Sequence, residues 1–81
     1  MLNWSKWSSD DYRVTVGNYL YQVCSPPFGT GTIKAVLYRR TLKGHYEVMI
    51  TLADNTTLPY GKMLCEADAL ARFTTEELVN A

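Results

Sequence analysis

The chain has 81 residues, enough for one small domain, and its hydrophobic content of 47% is too high for a disordered segment. Eight basic residues balance eight acidic ones, and a formal net charge of zero argues against capture of nucleic acid or anionic membrane by bulk electrostatics. No run approaches the ~18 apolar residues of a membrane span, and Cys24 and Cys65 form no close pair, so a cytoplasmic protein with two reduced thiols is expected.

Residues 1–11 read as an appendage. Trp4 and Trp7 stand three apart, so one helical turn would place both rings on the same face. Ser8, Ser9, Asp10 and Asp11 then break that pattern. Two tryptophans either plug an open end of the core or meet another chain, since Trp is favoured at interface hot spots. Trp4 and Trp7 are therefore the interface candidates.

Residues 12–81 read as one domain. Residues 12–16 alternate and are β-branched, which predicts a strand. Gly17-Asn18 is a turn signal, and residues 19–24 predict a second strand. Pro26-Pro27 ends it, because proline cannot donate to a ladder. Phe28 leads into Gly29-Thr30-Gly31, where two glycines suggest unusual φ or a close neighbour. Without a third glycine, a lysine and a following helix, this is not a phosphate loop.

Residues 33–40 predict a third strand. Ile33 and Val36 are apolar at opposite parity, for which a bulge is expected. A tight turn over 41–44 carries Gly44 where φ would be positive. In the next strand, 45–52, the alternation predicts Tyr46, Val48, Ile50 and Leu52 on the core face, with Glu47, Met49 and Thr51 opposite. Residues 53–55 have hairpin-turn composition. A short strand from Thr56 follows, with Leu58 returning to the core and Pro59 marking an edge. Met63 and Leu64 are expected to be buried. Residues 66–69 predict a single helical turn and 70–73 a closing strand, with one helix over 66–73 as the alternative. Thr74 and Glu77 match a capping box for a short last helix.

Short strands, an irregular first loop, a central meander and a late helical turn give the expected fold class: mainly β, a five-stranded SH3-like barrel with a short N-terminal appendage and a short C-terminal helical turn. The runs Gly17-Asn18-Tyr19-Leu20-Tyr21, Phe28-Gly29-Thr30-Gly31-Thr32-Ile33 and Tyr46-Glu47-Val48, with a turn at Asp54-Asn55, resemble Tudor-like and SH3-like domains. Among these, they are similar to the C-terminal module of UvrD/PcrA-type helicases and to CarD-like domains. The resemblance spans residues 17–73 and implies a barrel that binds protein or nucleic acid through loops and exposed strands. It implies no particular partner. Asp54-Asn55 stands where such domains often place Asp-Gly, and residues 1–11 have no counterpart.

Catalytic chemistry finds little footing. His45, the single histidine, follows a turn glycine, and no serine or cysteine has a histidine base in a recognisable pattern. No close metal-ligand spacing occurs, and no cofactor motif is present. Asp10-Asp11 and Glu76-Glu77 are paired carboxylates in exposed terminal contexts.

Two surfaces remain. Tyr19, Tyr21, Phe28, Tyr38, Tyr46 and Tyr60 would lie near one end of an SH3-like barrel, where Tudor-like domains build cation–π cages. Lys34, Arg39, Arg40 and Lys43 make residues 34–43 basic, while Glu66, Asp68, Glu76 and Glu77 make the C-terminal stretch acidic. The binding candidates are therefore Phe28, Tyr38, Arg39, Arg40, Lys43 and Tyr60. The expected function is a non-enzymatic module for protein–protein interaction or self-association through aromatic loops. Nucleic-acid binding through the basic hairpin is the first alternative. The second is an oligomeric enzyme whose site forms on assembly, as in type II dihydrofolate reductases. Those enzymes carry a Gln-Ile-Tyr run, and the nearest stretch here, Leu58-Pro59-Tyr60, lacks the amide.

Overall fold

The structure, a computed structural model, describes residues 2–25 and 32–81. Among them, five strands run in chain order: β1 (Ser5–Ser8), β2 (Asp11–Val16), β3 (Tyr19–Cys24), β4 (Ile33–Arg40) and β5 (Tyr46–Thr56). Two helices follow, α1 (Leu58–Arg72) and α2 (Thr75–Val79). Every strand pairs antiparallel with its sequence neighbour, giving one open sheet in the order β1-β2-β3-β4-β5, with β1 and β5 at its edges. The chain is thus mainly β, a meander closed by a helix.

The turns form as their residues dictate. Gly17 (φ +58°) joins β2 to β3 and Gly44 (φ +84°) sits in the turn before β5, both in the left-handed region that glycine occupies without strain. The cross-strand register then sorts the side chains. Val14 pairs with Tyr21, Tyr21 with Leu37, and Val23 with Ala35, so these residues share one face. With Val16 they are buried against Leu2 and against Cys65 and Ala69 of α1. This is the core. The other face carries Asp11, Arg13, Leu20, Gln22, Val36 and Tyr38 and has no helix on it.

α1 starts early because Thr57 caps it. The Thr57 hydroxyl accepts a hydrogen bond from the Tyr60 amide at 3.3 Å, and Pro59 fits the first turn, where no amide partner is needed. Residues 53–55 are therefore not a hairpin turn: β5 runs on to Thr56, and Leu58 reaches the core from the helix. Nor do residues 70–73 form a closing strand, since α1 is continuous to Arg72. The helical alternative over 66–73 is close to what forms. Gly61, Cys65 and Ala69, spaced by four, face the sheet. The capping box forms as expected, with Glu77 N–H donating to Thr74 Oγ1 and Thr74 N–H to Glu77 Oε1.

Trp4 and Trp7 do not share a helical face, because residues 5–8 form β1. Ile33 and Val36 need no bulge in their own strand. Ile33 packs against the core and Val36 points to the open face, while β3 and β4 pair in regular register. The irregularities lie in β5, where the register passes over Met49 and Leu52 and takes one extra residue between Ala53 and Thr56.

Candidate functional site

The path of α1 decides which part of the sheet is left bare. The helix begins directly after the end of β5. A Cβ on Gly61 would lie 2.7 Å from Val23 and 3.3 Å from Thr56, so its start sits close over this corner. Its far end lies over β3, where the Phe73 ring makes edge contacts with Tyr19 (5.3 Å) and Tyr21 (6.4 Å). Tyr19 belongs to the opposite end of the sheet, since it pairs with Arg39, which pairs with Glu47. α1 therefore crosses the sheet diagonally and leaves the first half of β5 uncovered.

That half is apolar. Tyr46, Val48, Met49 and Ile50 are 41%, 60%, 44% and 43% exposed, and only Leu52 of the expected core set packs against the core. The alternation of 46–52 was thus a sound strand signal but a wrong guide to burial. Alternation shows that a strand has an apolar face, not that anything covers it. Natural sheets usually blunt such an edge with charge, proline, brevity or bulges, and β5 carries irregularities at Met49 and Leu52. Here the 11-residue strand carries a single charge, Glu47, in its first half.

Much of the outer surface of α1 is apolar as well. Lys62 places its ammonium 3.5 Å from the Tyr12 ring centre, and Glu66 accepts hydrogen bonds from the Leu2 amide (3.3 Å) and the Trp4 indole (3.4 Å). Those contacts fix one flank towards β1 and β2. At 100° per residue, the other flank and the outer surface carry Tyr60, Met63, Leu64, Ala67, Leu70 and Ala71. Tyr60 and Met63 are 54% and 60% exposed, which corrects the expected burial of Met63, while Leu64 is half-buried. The side of α1 away from Lys62 and Glu66 also carries Asp68, paired with Arg72 at 3.0 Å.

The open face offers a second, more polar surface. A groove of about 480 Å³ is lined by Asp11, Arg13, Gln22, Cys24, Lys34 and Tyr38, among others. Arg13 grips Asp11 through Nε (3.2 Å) and Nη2 (3.0 Å), and Gln22 Nε2 donates to the same carboxylate at 3.2 Å. Burial pushes Asp11 up, but the hydrogen bonds from Arg13 and Gln22 outweigh it and hold the carboxyl below its ordinary range. The Arg13 guanidinium also lies 4.1 Å over the Trp7 ring. Burial, then Asp11, raises the Cys24 thiol, so it stays protonated at neutral pH and is no activated nucleophile. Both cysteines are free. Among the described residues no group of three His, Cys, Asp or Glu side chains is placed to hold a metal, and no helix is long and apolar enough to cross a membrane.

The sequence-predicted residues scatter over these surfaces. Phe28 lies outside the described residues. Tyr38 lines the open-face groove, and Arg40, on the same side of β4, pairs with Tyr46. Arg39 is exposed on the other side, opposite Glu47, and Lys43 is exposed in the turn before β5. Tyr60 is on α1, across the sheet from Tyr38. Trp4 packs against the core, whereas Trp7 is 65% exposed on the open face. Tyr19 and Tyr21 face the helix, so the described rings do not converge on one void. Sequence reasoning passed over Val48, Met49 and Ile50 as a surface, and over the apolar outer surface of α1. Thr57-Leu58-Pro59 was the available signal, because a capped helix start there turns residues 58–72 into one amphipathic element. Comparison of the chain with protein-family models, with curated proteins and with solved structures gives no significant match.

Proposed function

We propose that this chain is a small non-enzymatic binding module that takes a protein partner by strand addition to the edge of β5. The observation that carries this is the run of exposed apolar side chains on residues 46–50 of an edge strand. An edge strand offers a row of unpaired N–H and C=O groups, and an extended segment laid along it gains main-chain hydrogen bonds. Side chains alternating between the two faces then add specificity: one set would lie on the face of Ile50, the other would meet Tyr46 and Val48. An SH3-like barrel is not needed for this reading, which requires β5 to be free, as it is in the open sheet.

The test is selection of extended peptides from a displayed library against isotope-labelled protein, followed by mapping of amide shifts. Binders should perturb residues 46–51. Binders that perturb the open-face groove and leave β5 unchanged would sink the proposal.

A second reading has its own support. Lys34, Tyr38 and Arg40 stand in line on the open side of β4, near Tyr46, in the pattern of a basic groove with stacking rings. Against it, Lys34 lies 3.9 Å from Asp54 and Arg13 is paired with Asp11. Titration with oligothymidine at low salt tests it. Binding that is lost in Lys34→Ala/Arg40→Ala supports it, and no binding removes it.

A further inference from the structure

We infer that the segment added to β5 is an apolar extended stretch of another protein with acidic side chains at the end beside the 41–44 turn. This rests on the strand-addition reading above and names the chemistry of the partner. Three observations carry it.

The first is a surplus of cations at one end of the free edge. Arg39 and Arg40 close β4, and Lys43 stands in the turn that leads into β5. All eight acidic residues lie among the described residues. The ion pairs among these residues take Arg13, Lys34 and Arg72, and leave out Arg39, Arg40 and Lys43. Arg39 stands across the ladder from Glu47, which meets its charge in part, whereas Arg40 stands across from Tyr46.

The second is the place of those cations. A Cβ on Gly44 would lie 3.6 Å from Arg40 Nη2 and 3.9 Å from Nε, so the guanidinium runs along the turn. It is exposed there, as are Lys43 and Tyr46. Neighbouring strands lie about 4.7–4.9 Å apart, a gap that the long arms of Arg40 and Lys43 can span. An added strand that runs past Tyr46 therefore comes within their reach. A carboxylate at that point gains charge-assisted partners, and a cation is repelled.

The third is the opposite end of the edge. β5 closes with Asp54, whose side chain is 80% exposed and lies 3.9 Å from Lys34. The edge thus changes sign along its length, from Arg40 and Lys43 to Asp54. A segment laid the other way round would set its acid beside Asp54. Charge fixes the orientation, and the exposed Tyr46, Val48, Met49 and Ile50 between the two ends supply the apolar contact.

Peptides selected from the displayed library against the unmodified chain are the probe. They should be apolar in the middle and carry Asp or Glu at one end. A nitroxide at that end should broaden the amides of residues 42–46, and one at the opposite end should leave them sharp. Arg40→Glu/Lys43→Glu should weaken binding by about tenfold, and Arg40→Gln/Lys43→Gln by about threefold. Replacing the acids of the peptide with lysine should restore binding to the charge-reversed variant, and added salt should shrink both effects. Both side chains are exposed, and unchanged amide signals over β2 and β3 verify that the variants are folded. Peptides that shift the amides of 46–51 but have no acidic end, or that bind the charge-reversed variant equally well, would overturn the inference and leave strand addition standing. Broadening of residues 50–54 by the acidic end would do the same. Shifts over 46–51 that follow protein concentration without peptide would assign the edge to a second copy and overturn the acidic partner. A library that yields no peptide shifting 46–51 would remove strand addition, and this inference with it.

Discussion

The phenol of Tyr21, in the central strand β3, donates a hydrogen bond to Oδ2 of Asp68 on α1. Arg72 holds the same carboxylate from one turn on, Nε at 3.0 Å and Nη2 at 3.1 Å. The fully buried Tyr21 ring therefore ends in a charge-assisted contact that fixes the helix across the sheet. Burial, and then Asp68, raises the Tyr21 hydroxyl well above its ordinary range, so it remains a donor at every working pH. Tyr21→Phe keeps the ring packing and removes only this contact. It should cost about 1–2 kcal/mol in urea denaturation.

The same carboxylate makes stability depend on acidity. Its hydrogen bonds with Arg72, chiefly, and with Tyr21 hold Asp68 below 3.8 despite burial. A folded pKa below the unfolded one means that the contribution is complete at pH values well above 3.8. It is lost as pH falls through 3.8 to the lower folded value. Stability should decline from pH 5 to pH 3, and the decline should be shallower in Asp68→Asn. Parallel curves for the two proteins would show that Asp68 does not carry the effect.

Gly61 is where the helix meets the sheet most closely. An alanine there would gain up to about 1 kcal/mol of helix propensity, yet its methyl carbon would sit 2.7 Å from Val23 Cγ1, inside the packed core. Overpacking of that kind costs about 1–3 kcal/mol. Gly61→Ala should therefore be destabilising, by up to about 2 kcal/mol net, in thermal or urea unfolding.

The two tryptophans should behave differently. Trp4 packs on the core and donates to Glu66, so Trp4→Ala should cost about 2–3 kcal/mol, below the range for a fully buried ring. Trp7 offers one face to Arg13 and the rest to solvent, and Trp7→Ala should cost less than about 1 kcal/mol. Fluorescence-detected unfolding of each single variant checks both.

Much of the meander was legible before any coordinates. The strands over 12–16, 19–24 and 33–40, both glycine turns and the Thr74–Glu77 capping box follow from local chemistry and form where expected. The misreadings share one cause, the point where β5 gives way to α1. Asp54-Asn55 has turn composition but stays in the strand, and Thr57 and Pro59, which start the helix, read equally well as strand residues near an edge. Once α1 is taken as a turn and a strand, Met63 reads as a core residue and Ile50 as covered. The diagonal path of α1 exposes both, and that path is set by Gly61, Asp68 and Phe73 contacts far apart in sequence. Alternation alone holds no record of it.

Thiol chemistry offers an independent check on the core. Cys65 is fully buried, and burial, with Asp68 and Glu66 nearby, pushes its thiol up to about 12. It should react with an aromatic disulfide reagent only when the domain opens, at a rate that follows global unfolding. Cys24, half-buried on the open face, should react first. Equal rates would mean that α1 lifts from the sheet far more readily than the rest of the fold opens.

The most direct test of the binding edge is amide hydrogen exchange along residues 46–51, measured by NMR with and without a peptide selected from the displayed library. If an extended segment adds to the edge of β5, protection at its outward amides should rise on binding, while the turn over 41–44 and the amides of β1 stay unchanged. Exchange along 46–51 that is the same with and without the peptide, or protection that grows on β1 instead, would contradict it.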